Sequence, residues 1–332
     1  MKINRLSNSE VYVTELAFGA WAIGGWMWGG TDVKDSIKAI EAAIDNSMTT
    51  IDTAPVYGFG LSEQIVGEAI RGKRTKVQIL TKYGLNWETK EGQFYFSSIS
   101  NDGKPIDIYK YASKNRVIYE CEQSLKRLNT DYIDLYQIHW PDPTTPIEET
   151  MEAIGRLIEQ GKIRAAGVSN YSVEELKTAL KVVPIVSDQV PYSMLKRDIE
   201  KDLIPFCLEN NIAIIAYSPL QRGILTGKFS SDFNFKEGDH RQNLPWYKKE
   251  NIIEINKFLD KLRIIANNYK VTLTQLALNW TIQQTGITCT LVGSRNINQT
   301  LENIKATEFQ ISQADIEYIN KELNNLYQNL KL

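Results

Sequence analysis

Four residues that can move or steer a proton stand at intervals in the first half of the chain: Asp52, Tyr57, Lys82 and His139. Asp52 ends a short apolar beat (Thr49, Ile51) and leads into Thr53-Ala54-Pro55-Val56-Tyr57-Gly58. A carboxylate seldom finishes a buried strand without a partner, because an unpaired buried charge is costly. Tyr57 cannot continue that strand, since Pro55 and Gly58 put it on a turn. An acid at a strand end with a phenol held over it suits proton transfer, although a capped turn with a buried tyrosine fits the same residues. A lysine about 4 Å from a phenol oxygen favours phenolate by roughly 4 kcal/mol at an effective dielectric of about 20. That is worth at most about three pKa units, enough to draw a tyrosine from about 10 toward neutrality. Asp52 would hold Lys82 charged and oriented while offsetting part of its pull, and His139 could donate to or position a substrate oxygen. Plainer roles also fit: a structural ion pair for Asp52 and Lys82, a satisfied core histidine for His139. None of the cysteines (Cys121, Cys207, Cys289) accompanies these positions as a nucleophile. The group therefore points to protonating an oxygen while something else delivers electrons, which suggests a reduced nicotinamide.

Those residues must be positioned by the elements around them. Short strands at 2–6 and 10–13 read as a hairpin around Ser7-Asn8-Ser9. Strand-like runs follow at 16–19, 49–52, 77–81, 132–138, 163–168, 185–188, 212–217 and 288–292. Helical patterns separate them at 33–46, 62–70, 115–128, 147–160, from 172, 198–209, and over 250–268 with 273–284. A helix at 297–304 follows the last strand, and an amphipathic tail helix from about 312 to 327 ends the chain. Ser62 reads as an N-cap, Gly161 as a C′ stop, and Ser172-Val173-Glu174-Glu175 as a capping box. A polar and aromatic insertion, 82–112, interrupts the third unit. Eight strand-then-helix units imply parallel pairing with helical crossovers, and predict a (β/α)8 TIM barrel with an N-terminal β-hairpin and a C-terminal helix. An open dinucleotide-binding sheet would carry a glycine fingerprint after its first strand; Phe18-Gly19-Ala20-Trp21 stands there, and Gly58-Phe59-Gly60 runs on to Glu63 where glycine or alanine is wanted. No composition break divides the chain, so residues 1–332 are expected to form one domain.

Composition narrows the function classes. Hydrophobic residues make up 42% and charged residues 23% of the 332, with a formal net charge of -2, which offers no basic surface for nucleic acid or membrane. No window holds 18 uninterrupted apolar residues and no signal-peptide pattern opens the chain, so a cytoplasmic protein is expected. Three well-separated cysteines make neither a disulfide framework nor a CxxC motif, and two histidines (His139, His240) leave no multi-histidine metal site.

In a barrel of this kind chemistry gathers at the C-terminal ends of the strands. Those ends carry Gly19-Ala20-Trp21, Asp52, Lys82, His139, Ser169-Asn170, Gln189, Tyr217-Ser218 and Gly293-Ser294-Arg295. Nearly every strand thus brings a polar or ionisable group to one rim. Ser169-Asn170 also fits the cap region of the next helix. Gly293-Ser294-Arg295-Asn296, ahead of a helix beginning near Ile297, suits a phosphate. Arg295 could bind it bidentately or stack on an adenine, and equally fits an exposed loop arginine. Tyr217 could stack on a flat ring or serve as a core tyrosine.

Together these stretches resemble the aldo-keto reductase superfamily along essentially the whole chain. The resemblance rests on Asp52-Thr53-Ala54-Pro55-Val56-Tyr57-Gly58 with Ser62-Glu63, on Thr81-Lys82, and on Ser124-Leu125-Lys126-Arg127-Leu128 leading to Asp134-Leu135-Tyr136-Gln137-Ile138-His139. Gly161-Lys162-Ile163-Arg164, Gly167-Val168-Ser169-Asn170 and Gly293-Ser294-Arg295 extend it. Ala20-Trp21-Ala22-Ile23-Gly24-Gly25 and Tyr217-Ser218-Pro219-Leu220 look most like the bacterial branch that includes general-stress and inositol-utilisation-linked reductases. The resemblance implies NADPH-dependent reduction of small-molecule aldehydes and ketones, without a metal. Tyr57 would be general acid in reduction and base in oxidation, tuned by Lys82 and Asp52, with His139 orienting the carbonyl. Gly19 and Trp21 would belong to the cofactor site. Ser169, Asn170 and Gln189 would bind the carboxamide of the nicotinamide and Tyr217 would stack on its ring. Ser218, Leu220 and Gly223 would follow the pyrophosphate, with Gln221-Arg222 a less familiar continuation. Gly293, Ser294 and Arg295 would take the 2′-phosphate, and Gln299, Glu302 and Asn303 the adenosine end. The long C-terminal substrate loop of many animal members is missing, so the pocket would draw on 82–112 and on Trp26, Trp28 and Trp140. The same resemblance extends to potassium-channel β-subunits, which implies as an alternative an NADPH-binding regulatory subunit with weak catalysis. A phosphate-binding isomerase or lyase would need a neutral lysine, and Lys82 beside Asp52 is badly placed to be one.

Overall fold

Short, compact apolar runs bury both faces when the strands put a filled barrel interior on one side and a helical coat on the other. That is the arrangement in this computed structural model, which describes residues 1–235 and 239–331. Two strands, β1 (Ile3–Arg5) and β2 (Tyr12–Thr14), form an antiparallel hairpin. The barrel begins with β3 (Leu16–Gly19), followed by α1 (Val33–Asp45), β4 (Thr50–Asp52), α2 (Leu61–Ala69) and β5 (Gln78–Tyr83). An excursion, β6 (Leu85–Asn86), β7 (Gln93–Ile99) and β8 (Pro105–Lys110), precedes α3 (Lys114–Leu128). The alternation resumes with β9 (Ile133–Ile138), α4 (Ile147–Glu159), β10 (Ile163–Ser169), α5 (Val173–Leu180), β11 (Ile185–Pro191), α6 (Leu203–Glu209) and β12 (Ala213–Tyr217). Helices α7 (Lys249–Tyr269) and α8 (Leu273–Ile282) lead to β13 (Ile287–Gly293), α9 (Ile297–Ile304) and α10 (Gln313–Tyr327). The parallel strands close in the order β3-β4-β5-β9-β10-β11-β12-β13, so the expected (β/α)8 barrel is present, hairpin and terminal helix included.

The hairpin seals one end. Leu6, Val11 and Val13 lie buried beneath Leu80, Leu135 and Leu291, an aliphatic floor to the interior. Phe18, Ile51 and Ile79 belong to the larger core that also includes buried residues of the helical coat. Register then sets the rim: Gly19 lies opposite both Gly293 and Asp52, Asp52 opposite Leu80, and Lys82 opposite Gln137. Lys82 is two residues beyond Leu80, so it faces the same interior, one pleat above the floor.

Local signals mostly act as expected. Ser172 caps α5 in a reciprocal box with Glu175, and Gly161, with φ of +69°, follows the C-cap of α4. Two readings need correction. Ser62 does not cap α2; Gly60, at φ of +101°, turns the chain earlier, and the Ser62 hydroxyl is buried inside the helix. It donates to the Ala20 carbonyl at 2.9 Å and lies 2.8 Å from the Thr53 hydroxyl. The 198–209 helix is split into a single 3-10 turn, Asp198–Glu200, and α6, with Asp202 capping the second piece. The 82–112 insertion, given no secondary structure from its composition, contains a hairpin: β7 and β8 pair antiparallel around a turn at Ser100–Lys104 and β6 joins β8. The Asp102-Gly103 dipeptide at that turn, with Gly103 at φ of +80°, is a hairpin signal that the insertion's polar composition obscured.

Candidate active site

The interior narrows at its open end onto one buried ion pair. Lys82 Nζ lies 2.6 Å from Asp52 Oδ1 and donates to the Thr53 carbonyl at 2.9 Å. The second carboxylate oxygen of Asp52 accepts from Gln189 Nε2 at 2.7 Å and more distantly from Gln137 Nε2 at 3.5 Å. All four side chains are buried, so two charges that could not stand alone are satisfied by each other and by fixed dipoles. Behind β5, Glu63 accepts from Thr81 Oγ1 and Arg127 Nε, each at 2.6 Å, anchoring α2 to strand and helix.

Above this pair hangs Tyr57, its hydroxyl 3.5 Å from Lys82 Nζ. The turn that carries it is fastened on several sides. Tyr57 N–H donates to the Ala54 carbonyl at 3.1 Å, and its own carbonyl accepts from Ser62 N–H at 3.1 Å. Gly24 approaches so closely that a Cβ there would lie 2.7 Å from the backbone carbonyl of Tyr57. Asn101, at the tip of the insertion hairpin, donates to the carbonyls of Gly24 at 3.0 Å and Gly58 at 3.4 Å. The phenol ring stacks near Trp21 at 6.1 Å and meets the His139 ring edge-on at 5.6 Å.

Burial and the Asp52 charge push the Tyr57 phenol well above its ordinary range, so the expected drift toward neutrality is overturned. Its physical basis is plain: desolvation disfavours phenolate, and Asp52 offsets the lysine that would have stabilised it. Burial likewise lowers the Lys82 ammonium, against the opposing pull of Asp52 and Glu63. His139 is held well below the usual imidazole range by burial and by Lys82, and is neutral at physiological pH.

The rest of the rim is tied strand to strand. Asn170 Nδ2 donates to the His139 carbonyl and to Ser169 Oγ, both at 3.0 Å; its Oδ1 accepts from Tyr217 OH at 2.9 Å. Ser169 Oγ donates to the Gln189 carbonyl at 2.7 Å. Gln189, expected at a cofactor amide, donates its own amide nitrogen to Asp52 at 2.7 Å. Gln137 was missed; its signal was its place two residues before His139 on the same strand face.

Across the β3–β13 seam the two facing residues, Gly19 and Gly293, leave a notch without side chains. Ser294 is buried beside it and accepts from Asn303 Nδ2 at 3.0 Å. Arg295 N–H donates to Gln299 Oε1 at 2.8 Å, and Asn296 caps α9. The Arg295 guanidinium reaches the carbonyls of Trp28 at 3.3 Å and Gly30 at 2.7 Å, and no carboxylate pairs with it among the described residues. A glycine notch, a helix start and a cation bound only to neutral oxygens fit a phosphate. Glu302 faces Thr272, whose hydroxyl lies 3.4 Å from it. Ser218, at φ of +56°, Leu220 and Gly223, at φ of +103°, form the strained turn after β12.

An aromatic wall completes the mouth. Trp26 stacks with Phe96 at 6.1 Å, and its indole N–H donates to Ser98 Oγ at 2.9 Å. Trp140 meets Tyr95 at 5.7 Å, and Phe59 meets Trp87 at 5.6 Å. Trp28 packs edge-on to Trp21 at 5.3 Å. The insertion thus supplies Trp87, Tyr95 and Phe96, which only its hairpin pairing brings to the site. Among the described residues no group of three His, Cys, Asp or Glu side chains is arranged to hold a metal, and no helix is long and apolar enough to cross a membrane. The side chain of His240 lies outside the described residues.

Residues 15–324 match the family model described as the aldo/keto reductase family. The chain belongs to that family. This aldo/keto reductase is 39% identical to "Aldo-keto reductase YhdN" of Bacillus subtilis over 98% of its own length and 94% of the relative's. It is 35% identical to an "NADH-specific methylglyoxal reductase" of Escherichia coli, covering 95% and 96% of the two chains. Its structure is similar to that of the glycerol dehydrogenase AKR11B4 from Gluconobacter oxydans, with a TM-score of 0.88 at 34% identity over 99% and 97% of the chains. As a member, it is an oxidoreductase of carbonyl compounds in a family that uses nicotinamide cofactors.

Proposed function

We propose that this aldo/keto reductase is an NADPH-dependent reductase of aldehydes and ketones in which Tyr57 delivers the proton. The observation that carries the reading is the Tyr57 hydroxyl, 3.5 Å from a buried lysine, beside a neutral histidine, and kept protonated by its surroundings. A bound dihydronicotinamide supplies the hydride for the carbonyl carbon. Tyr57 holds the proton that the developing alkoxide needs; the uncharged His139 imidazole donates a hydrogen bond that orients the oxygen without competing as an acid. As Tyr57 gives up its proton, Lys82 stabilises the charge left on the phenol oxygen, and Asp52 with Gln189 and Gln137 keeps that ammonium fixed. In this reading Ser169, Asn170 and Gln189 hold the carboxamide of the nicotinamide, Tyr217 stacks on its ring, and the Gln189 amide nitrogen also steadies the ion pair. Trp21 walls the mouth, and Ser218, Leu220 and Gly223 line the pyrophosphate. The Gly19–Gly293 notch, Ser294 and Arg295 support NADPH over NADH, with Gln299, Glu302 and Asn303 at the adenosine end.

Tyr57→Phe tests the reading directly. Turnover of an aldehyde that the parent reduces, followed by NADPH absorbance, is expected to fall by about 100- to 10,000-fold. Retention of near-parental turnover would exclude Tyr57 as the acid. Preference for the cofactor is read from the same assay run with NADPH and NADH. Equal or better use of NADH would overturn the phosphate role of Ser294 and Arg295.

A further inference from the structure

Arg222 is the residue at the mouth that the reaction above leaves without work. It sits in the turn after β12 at φ of +57°, a conformation a bulky L-residue adopts only when its surroundings impose it. Two donors hold its carbonyl from behind: Tyr247 OH at 2.8 Å and Arg241 Nη1 at 3.3 Å. Arg241 is itself clamped to Asp239 and lies over the Trp28 ring at 5.5 Å. The Arg222 guanidinium then lies 5.8 Å from the centre of the Trp21 ring, whose own neighbour at 6.1 Å is Tyr57. It is also close enough to Tyr95, on the insertion hairpin, to act on that phenol. Among the described residues no carboxylate pairs with it, and the ionisable groups that act on it are the phenols of Tyr217, Tyr247 and Tyr95, each held protonated by burial.

A second cation lies by the same Tyr95. Lys110 Nζ lies 4.6 Å from the Tyr95 ring centre and 5.3 Å from that of Trp140. The carboxylate nearest the Tyr57 hydroxyl's lysine, Asp52, is consumed by Lys82 and two amides. A planar cation fixed at an aromatic wall, with no carboxylate paired to it among the described residues, is suited to bidentate capture of an incoming carboxylate. We propose that Arg222 is the specificity-determining handle of the substrate pocket, binding a carboxylate carried by the carbonyl substrate.

This inference rests on the carbonyl-reductase reading, and its test keeps the two separable. The ratio of kcat/KM for 4-carboxybenzaldehyde to that for 4-methylbenzaldehyde is measured in the parent, Arg222→Met and Arg222→Lys. The ratio is expected to drop at least about tenfold in Arg222→Met, mainly through KM, and to recover in part in Arg222→Lys. NADPH affinity, measured by protein fluorescence, is expected to change much less than that ratio. Benzoate titrated into the NADP-loaded protein gives a readout that needs no turnover: binding in the parent and its loss in Arg222→Met. An unchanged ratio with unchanged benzoate binding overturns the proposal. So does a loss of NADPH affinity that affects both aldehydes alike, which would make Arg222 a ligand of the cofactor's phosphates. If the parent reduces neither aldehyde, the carbonyl reading suffers, and the benzoate titration still decides the role of Arg222.

Discussion

At the scale of single residues, the buried Asp52–Lys82 pair sets both chemistry and stability. Lys82→Met leaves a carboxylate with only amide donors in the barrel interior, and is expected to cost about 3–5 kcal/mol in urea unfolding. The double variant Asp52→Asn, Lys82→Met removes the orphaned charge and should regain part of that loss; a double variant no more stable than the single one would argue against charge as the cause. pH dependence follows from the directions of the shifts. His139 is depressed, so the folded protein binds fewer protons than the unfolded chain below about pH 6.5. Its contribution is therefore present above that pH and declines on acidification. Tyr57 is raised, so its proton remains in the folded protein past the ordinary phenol range of about 10. Carbonyl reduction should accordingly show no inflection between about pH 6.5 and 9, where ordinary histidine and tyrosine groups begin to titrate. Alcohol oxidation, which needs the phenolate, should still be rising at the alkaline limit. A histidine-like inflection near neutrality in the reduction profile would contradict the neutral assignment of His139.

At the scale of elements, the site is held by loops that grip one another. Gly24 lies against the Tyr57 turn with no room for a side chain, and both partners are backbone. Gly24→Ala should displace the phenol, lowering kcat by up to about 100-fold while the folded circular-dichroism signal persists. Parental kcat in that variant would show that the turn tolerates movement. The insertion hairpin matters in the same way, since Asn101 at its tip binds both Gly24 and Gly58. Sequence made the barrel strands legible because each is a compact apolar run between turn signals. It hid the hairpin because β7 is largely exposed or half-buried and lacks a clean apolar alternation. Ser62 misled for a related reason: a capping-type residue at a helix start is a local cue, and the left-handed Gly60 overrode it.

At the scale of the whole molecule, the alternation of strands and helices was sufficient to derive the closed barrel, because parallel strands need crossovers and eight of them close. The positions of Asp52, Lys82 and His139 followed from their places at strand ends. Their electrostatics did not, since burial is a property of the assembled interior and reversed the direction anticipated for Tyr57. Gln137 and Arg222 were equally hidden, one behind an ordinary strand pattern and one on a turn whose strain only the folded chain reveals. If residues 1–332 fold as one domain, heat should unfold them in a single transition. NADPH at about 100 times its Kd should then stabilise the protein by about 2.7 kcal/mol, and NADH at the same concentration by clearly less. Two resolved transitions, or equal shifts from both nucleotides, would count against the single domain or against Arg295 respectively. The hairpin floor bears on the proton economy of such a cycle. With Leu6, Val11 and Val13 stoppering the lower end, the buried hydroxyls of Thr50 and Ser187 and the Cys289 thiol in the interior end on an aliphatic floor. A proton spent by Tyr57 must return through the same opening by which the alcohol leaves, so product departure and recharging of the acid share one door and must take turns.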